Sequence, residues 1–95
     1  QKEGKEFLKS KIEAKESLRF TLFYLKEGNI SKVTKDIAGE IINKITVNHS
    51  IKKGIIMKSL RVAFFGCLSG PDLIQSWELF SENKIDIPLI ERCLI

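Results

Sequence analysis

Two short stretches of the sequence hold the side chains best suited to binding chemistry. The first places four cations within ten residues, at Lys52, Lys53, Lys58 and Arg61. The second is Ser69-Gly70-Pro71-Asp72-Leu73, a tight turn that is expected to open a helix. Such a turn presents free backbone N–H groups and a small apolar surface, which suit an unstacked base or a phosphate. The basic run could equally be a solvated linker, and the turn could be purely structural. The two stretches therefore indicate only a basic helical module, with RNA binding as one interpretation.

Catalysis and metal binding find little support in the remaining residues. The sequence has no Ser/His/Asp spacing, no G-x-x-x-x-G-K-[ST] loop, no G-x-G-x-x-G and no His/Cys cluster. The single histidine, His49, is expected to be a solvated residue at a polar helix end. Glu13 and Glu16 fit a mixed-charge helix face better than paired acid/base work. Asp72 is expected to be a first-turn acid that faces the helix dipole. We therefore predict no catalytic residue and no metal site.

Composition places the chain among ordinary globular proteins. Of its 95 residues 43% are hydrophobic and 29% charged, with a formal net charge of +4. No apolar run approaches the roughly 20 residues that a membrane span needs. The opening Gln1-Lys2-Glu3 predicts a fragment of a longer protein, and Cys67 and Cys93 are expected to be reduced core residues. The positive charge favours an anionic partner without identifying it.

Helical periodicity runs through nearly the whole chain and supplies the elements that must position these stretches. In the first segment a helical stripe is predicted, with charged residues on the other face from Lys2 to Arg19; the stripe comprises Leu8, Ile12, Leu18, Leu22 and Leu25, widened by Phe7, Phe20 and Phe23. Gly28-Asn29 is expected to end this segment. Ser31 or Thr34 can cap the next helix, whose inward residues are Val33, Ile37, Ile41, Ile42 and Ile45. Asn48-His49-Ser50 ends it.

The second half of the chain predicts three shorter helices. Lys52-Lys53-Gly54 is expected to be a basic linker before a helix that buries Leu60, Ala63 and Phe64 and breaks at Gly66 and Ser69-Gly70. Pro71 suits the first turn of the following helix, which buries Leu73, Ile74, Trp77 and Phe80. Asp86 is expected to cap the last helix, with Pro88 in its first turn and Ile90, Cys93 and Leu94 inward. The predicted fold is all-α, a small bundle of about five helices.

A longer motif in this second half resembles a known family. The run I-K-K-G-I-I-M-K-S-L-R-V-A from Ile51 to Ala63, followed by G-P-D-L-I-Q-S-W from Gly70 to Trp77, is similar to the last helical region of glutamyl-tRNA synthetases. It is most similar to cyanobacterial and plastid members. The resemblance holds from Ile51 to Leu94 and rests mainly on helix pattern from Ala14 to Asn48. It implies an anticodon-binding fold of the class I type, with residues 1–50 ending one helical subdomain, 51–95 forming the next, and both packed as one unit.

The resemblance also implies a function and a set of site residues. In the family, the whole enzyme attaches glutamate to tRNA with ATP and magnesium, in a Rossmann-type domain whose H-I-G-H-like and K-M-S-K-S-like signatures are absent here. This chain would then be a non-catalytic part with no cofactor of its own. Its expected partners are glutamate tRNA, with glutamine tRNA as a second candidate, and the rest of the synthetase. Its expected location is a bacterial cytoplasm or a plastid stroma. Neither a membrane nor DNA is an expected partner. The family motif assigns Arg61, Pro71 and Leu73 to the anticodon bases, with Gly70 allowing close backbone approach; Lys52, Lys53 and Lys58 are phosphate contacts on charge alone.

Two alternatives and one departure from the family stay open at this point. A helical protein-interaction module without RNA specificity would need the Pro71 turn only for folding. A helical DNA-binding domain would need several outward Arg, Asn or Gln residues on one helix, and the helix after Pro71 offers only Gln75. Phe65 stands where family members usually have a small polar residue. It either packs against a neighbouring helix or offers a stacking surface.

Overall fold

Helices make up the secondary structure. The computed structural model describes residues 4, 6–8 and 11–95. In these ranges the helices are α1 (Ile12–Glu27), α2 (Lys35–His49), α3 (Lys53–Phe65), α4 (Leu73–Glu82) and α5 (Asp86–Arg92). Residues 4 and 6–8 are also helical, and the described ranges contain no strand. The predicted all-α class is confirmed. Among the described helices, none combines the length and apolar character that crossing a membrane requires.

The predicted apolar stripe of the first segment is interrupted at Lys11. Its backbone is extended (φ −123°, ψ 107°) immediately before α1, so residues 6–8 do not continue into that helix. Ile12 is 78% exposed as a result, and its predicted place in the buried stripe is wrong. Phe23, which was predicted to widen the stripe, is also exposed, whereas the leucines of the stripe are buried, namely Leu8, Leu18, Leu22 and Leu25. Part of the charged face predicted from Lys2 lies outside the described residues.

Local capping sets the boundaries between α1, α2 and α3. α1 ends at Gly28, whose N–H donates to the Tyr24 carbonyl at 3.0 Å, and Asn29 takes the left-handed conformation (φ 53°). The Thr34 hydroxyl oxygen accepts a hydrogen bond from the Ile37 N–H at 3.3 Å and caps α2. Thr34 rather than Ser31 is therefore the cap. α2 closes at Ser50, which is also left-handed (φ 56°).

The third helix begins earlier than the sequence suggested. The carbonyl of Lys52 already accepts a hydrogen bond from the Ile56 N–H at 3.2 Å, so Lys53 and Gly54 form its first turn. The prediction that they belong to a linker is wrong. Ile56 is fully buried, and α3 ends at Gly66 (φ 76°), as predicted. Fully buried residues further along α3 are Leu60 and Ala63.

The starts of α4 and α5 differ from prediction for two separate reasons. Asp72 is the N-cap of α4, since its carboxylate accepts the Gln75 N–H at 2.9 Å. Pro71 therefore precedes the cap, and its predicted place in the first turn is wrong. Asp86 is the first residue of α5 rather than its cap. Its buried carboxylate instead accepts a hydrogen bond from the Trp77 indole Nε1 at 3.3 Å. Pro88 lies in the first turn of α5, as predicted.

The core is continuous across the predicted subdomain boundary at residue 50. Leu18 and Ile45 belong to the same buried cluster as Leu60 and Trp77. A hydrogen bond also joins the two halves, since the Val33 N–H donates to the Ser81 hydroxyl at 2.6 Å. The division into 1–50 and 51–95 stays a prediction, and the shared core holds α1 to α5 as one scaffold.

The two cysteines are free and half-buried. The Cys67 thiol donates to the Ser69 carbonyl at 3.0 Å, within the segment that links α3 to α4. Burial raises the pKa of the Cys93 thiol, and the neighbouring Arg92 charge opposes this effect. Cys93 is therefore a weaker nucleophile than an exposed thiol.

Candidate nucleic-acid interface

Arg61 and Pro71, which the family motif singled out, lie in direct contact. Arg61 is partly exposed on α3, and its Nη1 donates a hydrogen bond to the Pro71 carbonyl at 2.9 Å. This bond holds the guanidinium beside the exposed turn that precedes α4. An arginine side chain has five N–H donors in a planar fork, so one bond to the protein leaves others for a ligand. The fold thus presents a pre-positioned arginine next to a proline.

Gly70 is required in this turn by a neighbouring aromatic ring. Its φ is +156°, and a Cβ atom at this position would lie 2.8 Å from Cδ2 of Phe65. The Phe65 ring therefore covers the glycine and also lies 6.2 Å, centroid to centroid, from Phe80. Of the two roles left open for Phe65, packing is the observed one. The close approach at Gly70 is made by Phe65, whereas the family motif assigned it to RNA.

Leu73, which the motif assigned to the anticodon bases, is buried in the structure. Its side chain is 1% exposed and belongs to the core cluster. A buried side chain offers no apolar surface to a base in this conformation. Leu73 instead anchors the first residue of α4 and so holds the Pro71 turn at the surface.

The three predicted phosphate contacts are accessible cations. Lys52, Lys53 and Lys58 are all exposed. Lys58 lies three residues before Arg61, and this spacing makes them neighbours on the helix surface. In the part of the chain that the structure describes, the one ion pair is Lys26–Glu91 at 3.3 Å. The lysines around Arg61 are therefore not neutralised by any described carboxylate, and they can attract an anionic ligand.

A cavity between α2, α3 and α4 was missed by the sequence reasoning. Its volume is about 280 Å³, and its wall includes Lys35 and Asn43 of α2 together with Lys53 of α3. Lys53 thus belongs to a site whose other polar residues were not predicted. The one signal in the sequence is Gly39, a glycine in the interior of a helix, where glycine is disfavoured relative to most residues.

His49 also differs from its predicted role as a solvated residue. Its ring stacks on Phe20 with centroids 3.6 Å apart, and its Nε2 is 2.9 Å from the Tyr24 hydroxyl. The Asn48 amide donates to that hydroxyl at 3.2 Å. The histidine therefore joins α2 to α1 and has a packing role. The matching four-residue spacing of Phe20 and Tyr24 on α1 was the available signal.

Comparison with known proteins decides the family. The model of the family described as "Anticodon binding domain" matches residues 2–85 of this chain. The chain belongs to the anticodon-binding domain family. No solved structure shows a match.

Relatives of this anticodon-binding domain occur in glutamate–tRNA ligases of Prochlorococcus marinus. The ligase of subspecies pastoris is 85% identical over 92 residues, which are 97% of this chain and 19% of the relative. The ligase of strain MIT 9515 is 74% identical over 95 residues, covering 100% of this chain and 20% of the relative. That of strain NATL2A is 43% identical over 89 residues. The domain spans about a fifth of the length of these relatives, and the predicted resemblance to glutamyl-tRNA synthetases is confirmed.

Within the described residues, this anticodon-binding domain holds no group of three His, Cys, Asp or Glu side chains that could bind a metal ion. The cations Lys52, Lys53, Lys58 and Arg61 lie on α3 or directly before it, and Asn43 lines the adjacent cavity. Such a surface is suited to hydrogen bonding, stacking and charge attraction.

Proposed function

We propose that this chain is the anticodon-binding region of a glutamate–tRNA ligase and that it binds the anticodon loop of glutamate tRNA. The observation that carries the proposal is the Arg61–Pro71 contact, which fixes a planar cation beside an exposed turn. The chain itself contributes binding and orientation. The ligation of glutamate, with ATP and magnesium, belongs to the whole enzyme, which acts in the cytoplasm of a bacterium.

Arg61 is the central residue of this mechanism. Its free N–H groups can donate to the edge of an unstacked base, and its plane can stack on the base face. The bond to Pro71 already restricts the rotamers of Arg61 in the free chain. Less side-chain entropy is then lost when RNA binds, and this favours affinity. The exposed Pro71 ring adds a rigid apolar contact. Leu73 contributes only by anchoring the turn.

Lysines on the same side supply attraction without sequence discrimination. Lys52, Lys53 and Lys58 are exposed and lack a carboxylate partner in the described part of the chain. Each phosphate that they neutralise releases a counterion, so their contribution falls as the salt concentration rises. Discrimination between bases is therefore attributed to Arg61 and the turn at Pro71.

A titration with short RNAs tests the proposal. The chain is titrated with the anticodon stem-loop of glutamate tRNA and with a stem-loop of scrambled loop sequence, at two salt concentrations. We expect a preference for the cognate loop that persists at the higher salt. Equal affinity for both loops that disappears with salt would show electrostatic attraction only and would refute anticodon reading by this chain. A glutamine tRNA loop, titrated in parallel, determines whether that tRNA is also a ligand.

A further inference from the structure

The cavity between α2, α3 and α4 has the composition of a site for a planar, partly polar ligand. Apolar contact is available from Ile42, Met57 and Ile74, one from each helix. Ile42 is buried, whereas Met57 and Ile74 are only partly buried and so present surface to the cavity. A methionine adapts its shape to the ligand that it contacts. These side chains together form an apolar floor.

Polar groups of the right kind surround this floor. Asn43 has an amide with two donors and an acceptor, and it makes no hydrogen bond within the described part of the chain. Lys35 and Lys53 line the same cavity from the first residues of α2 and α3, and neither forms an ion pair with a described residue. An amide can form hydrogen bonds with the edge of a base, and an ammonium group can neutralise the single charge of a backbone phosphate.

Gly39 gives the cavity additional space on the α2 side. It lies in the fifth position of α2 and lines the cavity, and a Cβ atom built on it would meet no other atom within 4 Å. Packing therefore does not require glycine here, and no positive φ does either. A glycine in a helix interior costs stability relative to alanine. Glycine at position 39 therefore does not stabilise the fold, and the absence of a side chain there leaves space for a ligand.

The cavity continues the surface on which the anticodon contacts are proposed. Lys53, Met57 and Arg61 follow one another at intervals of four along α3, so they form one stripe of that helix. Eight residues of α-helix rise about 12 Å, which separates the start of the cavity from the Arg61–Pro71 turn. Ile74 of the cavity also directly follows Leu73, the anchor of that turn.

We infer that this cavity binds one further unstacked nucleotide of the same RNA loop, in addition to the nucleotides at the Arg61–Pro71 turn. The base lies on Ile42, Met57 and Ile74 with its edge at Asn43, and the flanking phosphate lies between Lys35 and Lys53. This inference rests on the proposed function, since it assumes that the loop is bound at the turn. It adds a second base site, between α2, α3 and α4.

The test combines a blocked cavity with RNA loops that lack single bases. The variant Gly39→Leu fills the cavity from α2, and Gly54→Leu is the matched control. Gly54 is also an exposed helical glycine with no atom within 4 Å of a built Cβ, but it does not line the cavity. Each protein is titrated with the intact stem-loop and with a set of stem-loops in which one loop nucleotide at a time is abasic. Thermal unfolding of both variants checks that the fold is retained, and Gly39→Ala serves as a milder substitution.

One loop position should report on the cavity. For the unmodified chain, removing that base should weaken binding about tenfold, because its burial against the aliphatic side chains of the cavity is lost. Gly39→Leu should bind the intact loop about tenfold more weakly for the same reason and should lose nothing more when that base is removed. Gly54→Leu should behave like the unmodified chain.

The outcomes separate this inference from the proposed function. If Gly39→Leu folds and binds every loop as the unmodified chain does, while Arg61→Ala weakens binding, the cavity site is refuted and anticodon binding stands. If each abasic loop loses the same factor with Gly39→Leu as with the unmodified chain, no base occupies the cavity. If the unmodified chain shows no preference for the cognate loop, the proposed function fails and this inference fails with it.

Discussion

Replacing Arg61 with alanine should weaken binding of the cognate anticodon loop more than it weakens the fold. In the structure the side chain makes one bond to the protein, from Nη1 to the Pro71 carbonyl at 2.9 Å. This bond is solvent-exposed, so its loss should reduce the free energy of unfolding by about 0.5–1.5 kcal/mol at most. The remaining donors are available to RNA, and loss of an arginine that contacts a base costs about 1–3 kcal/mol of binding free energy. The affinity for RNA should therefore fall by about 5- to 150-fold.

A lysine at the same position separates charge from geometry. Arg61→Lys keeps the positive charge but loses the planar fork and the stacking surface. We expect it to retain the salt dependence of binding while losing most of the preference for the cognate loop over the scrambled loop. Both variants are measured by titration with the two stem-loops at two salt concentrations, and thermal unfolding of each provides the control for the fold.

Two results would refute this reasoning. If Arg61→Ala binds the cognate loop with unchanged affinity while its unfolding transition shows an intact fold, Arg61 is not a site residue. If Arg61→Lys matches the unmodified chain in loop preference, a charge alone is sufficient. The planar contact with a base is then excluded.

Three further substitutions test other parts of the structure. Gly70→Ala should lower the free energy of unfolding by about 1–3 kcal/mol because the new Cβ would meet the Phe65 ring at a strained φ. Urea unfolding measures this change, and an unchanged free energy of unfolding would contradict the packing of Phe65 on Gly70. Lys58→Ala should weaken cognate and scrambled loops equally and reduce the salt slope of binding by about 0.7–0.9; a loop-specific loss would instead place Lys58 at a base. Trp77→Phe should destabilise the fold by about 1–3 kcal/mol because the buried Asp86 carboxylate loses its indole donor. Thermal unfolding tests this, and an unchanged midpoint temperature would show that the Trp77–Asp86 hydrogen bond does not stabilise the fold.

The sequence by itself determined the helical class and those boundaries that depend on neighbouring residues. Thr34 caps α2 with its own hydroxyl, and Gly66 ends α3 in a left-handed conformation. Such signals act over three or four residues, so they can be read from the chain alone. The motif around Arg61 and Pro71 likewise identified both residues before their contact was seen.

Where the sequence reasoning failed, groups distant in the chain had decided the outcome. Asp86 has the residue type of a cap, but the Trp77 indole lies close enough to take its carboxylate as a partner. His49 has the surroundings of a solvated residue, but α1 presents Phe20 and Tyr24 to it. Propensity is a weak guide wherever tertiary packing supplies a stronger interaction.

The candidate site shows the same division. Residue types and spacing singled out the cluster of cations and the turn at Pro71, because charge and turn chemistry are properties of the local sequence, and the family motif assigned Arg61 and Pro71 to the bases. Only the tertiary structure placed Leu73 in the core and the Phe65 ring over Gly70. It alone brought three helices together around Gly39 to form the cavity. Burial and cavities depend on which surfaces of distant segments meet, and a helical periodicity specifies which face is apolar without specifying the face that it packs against.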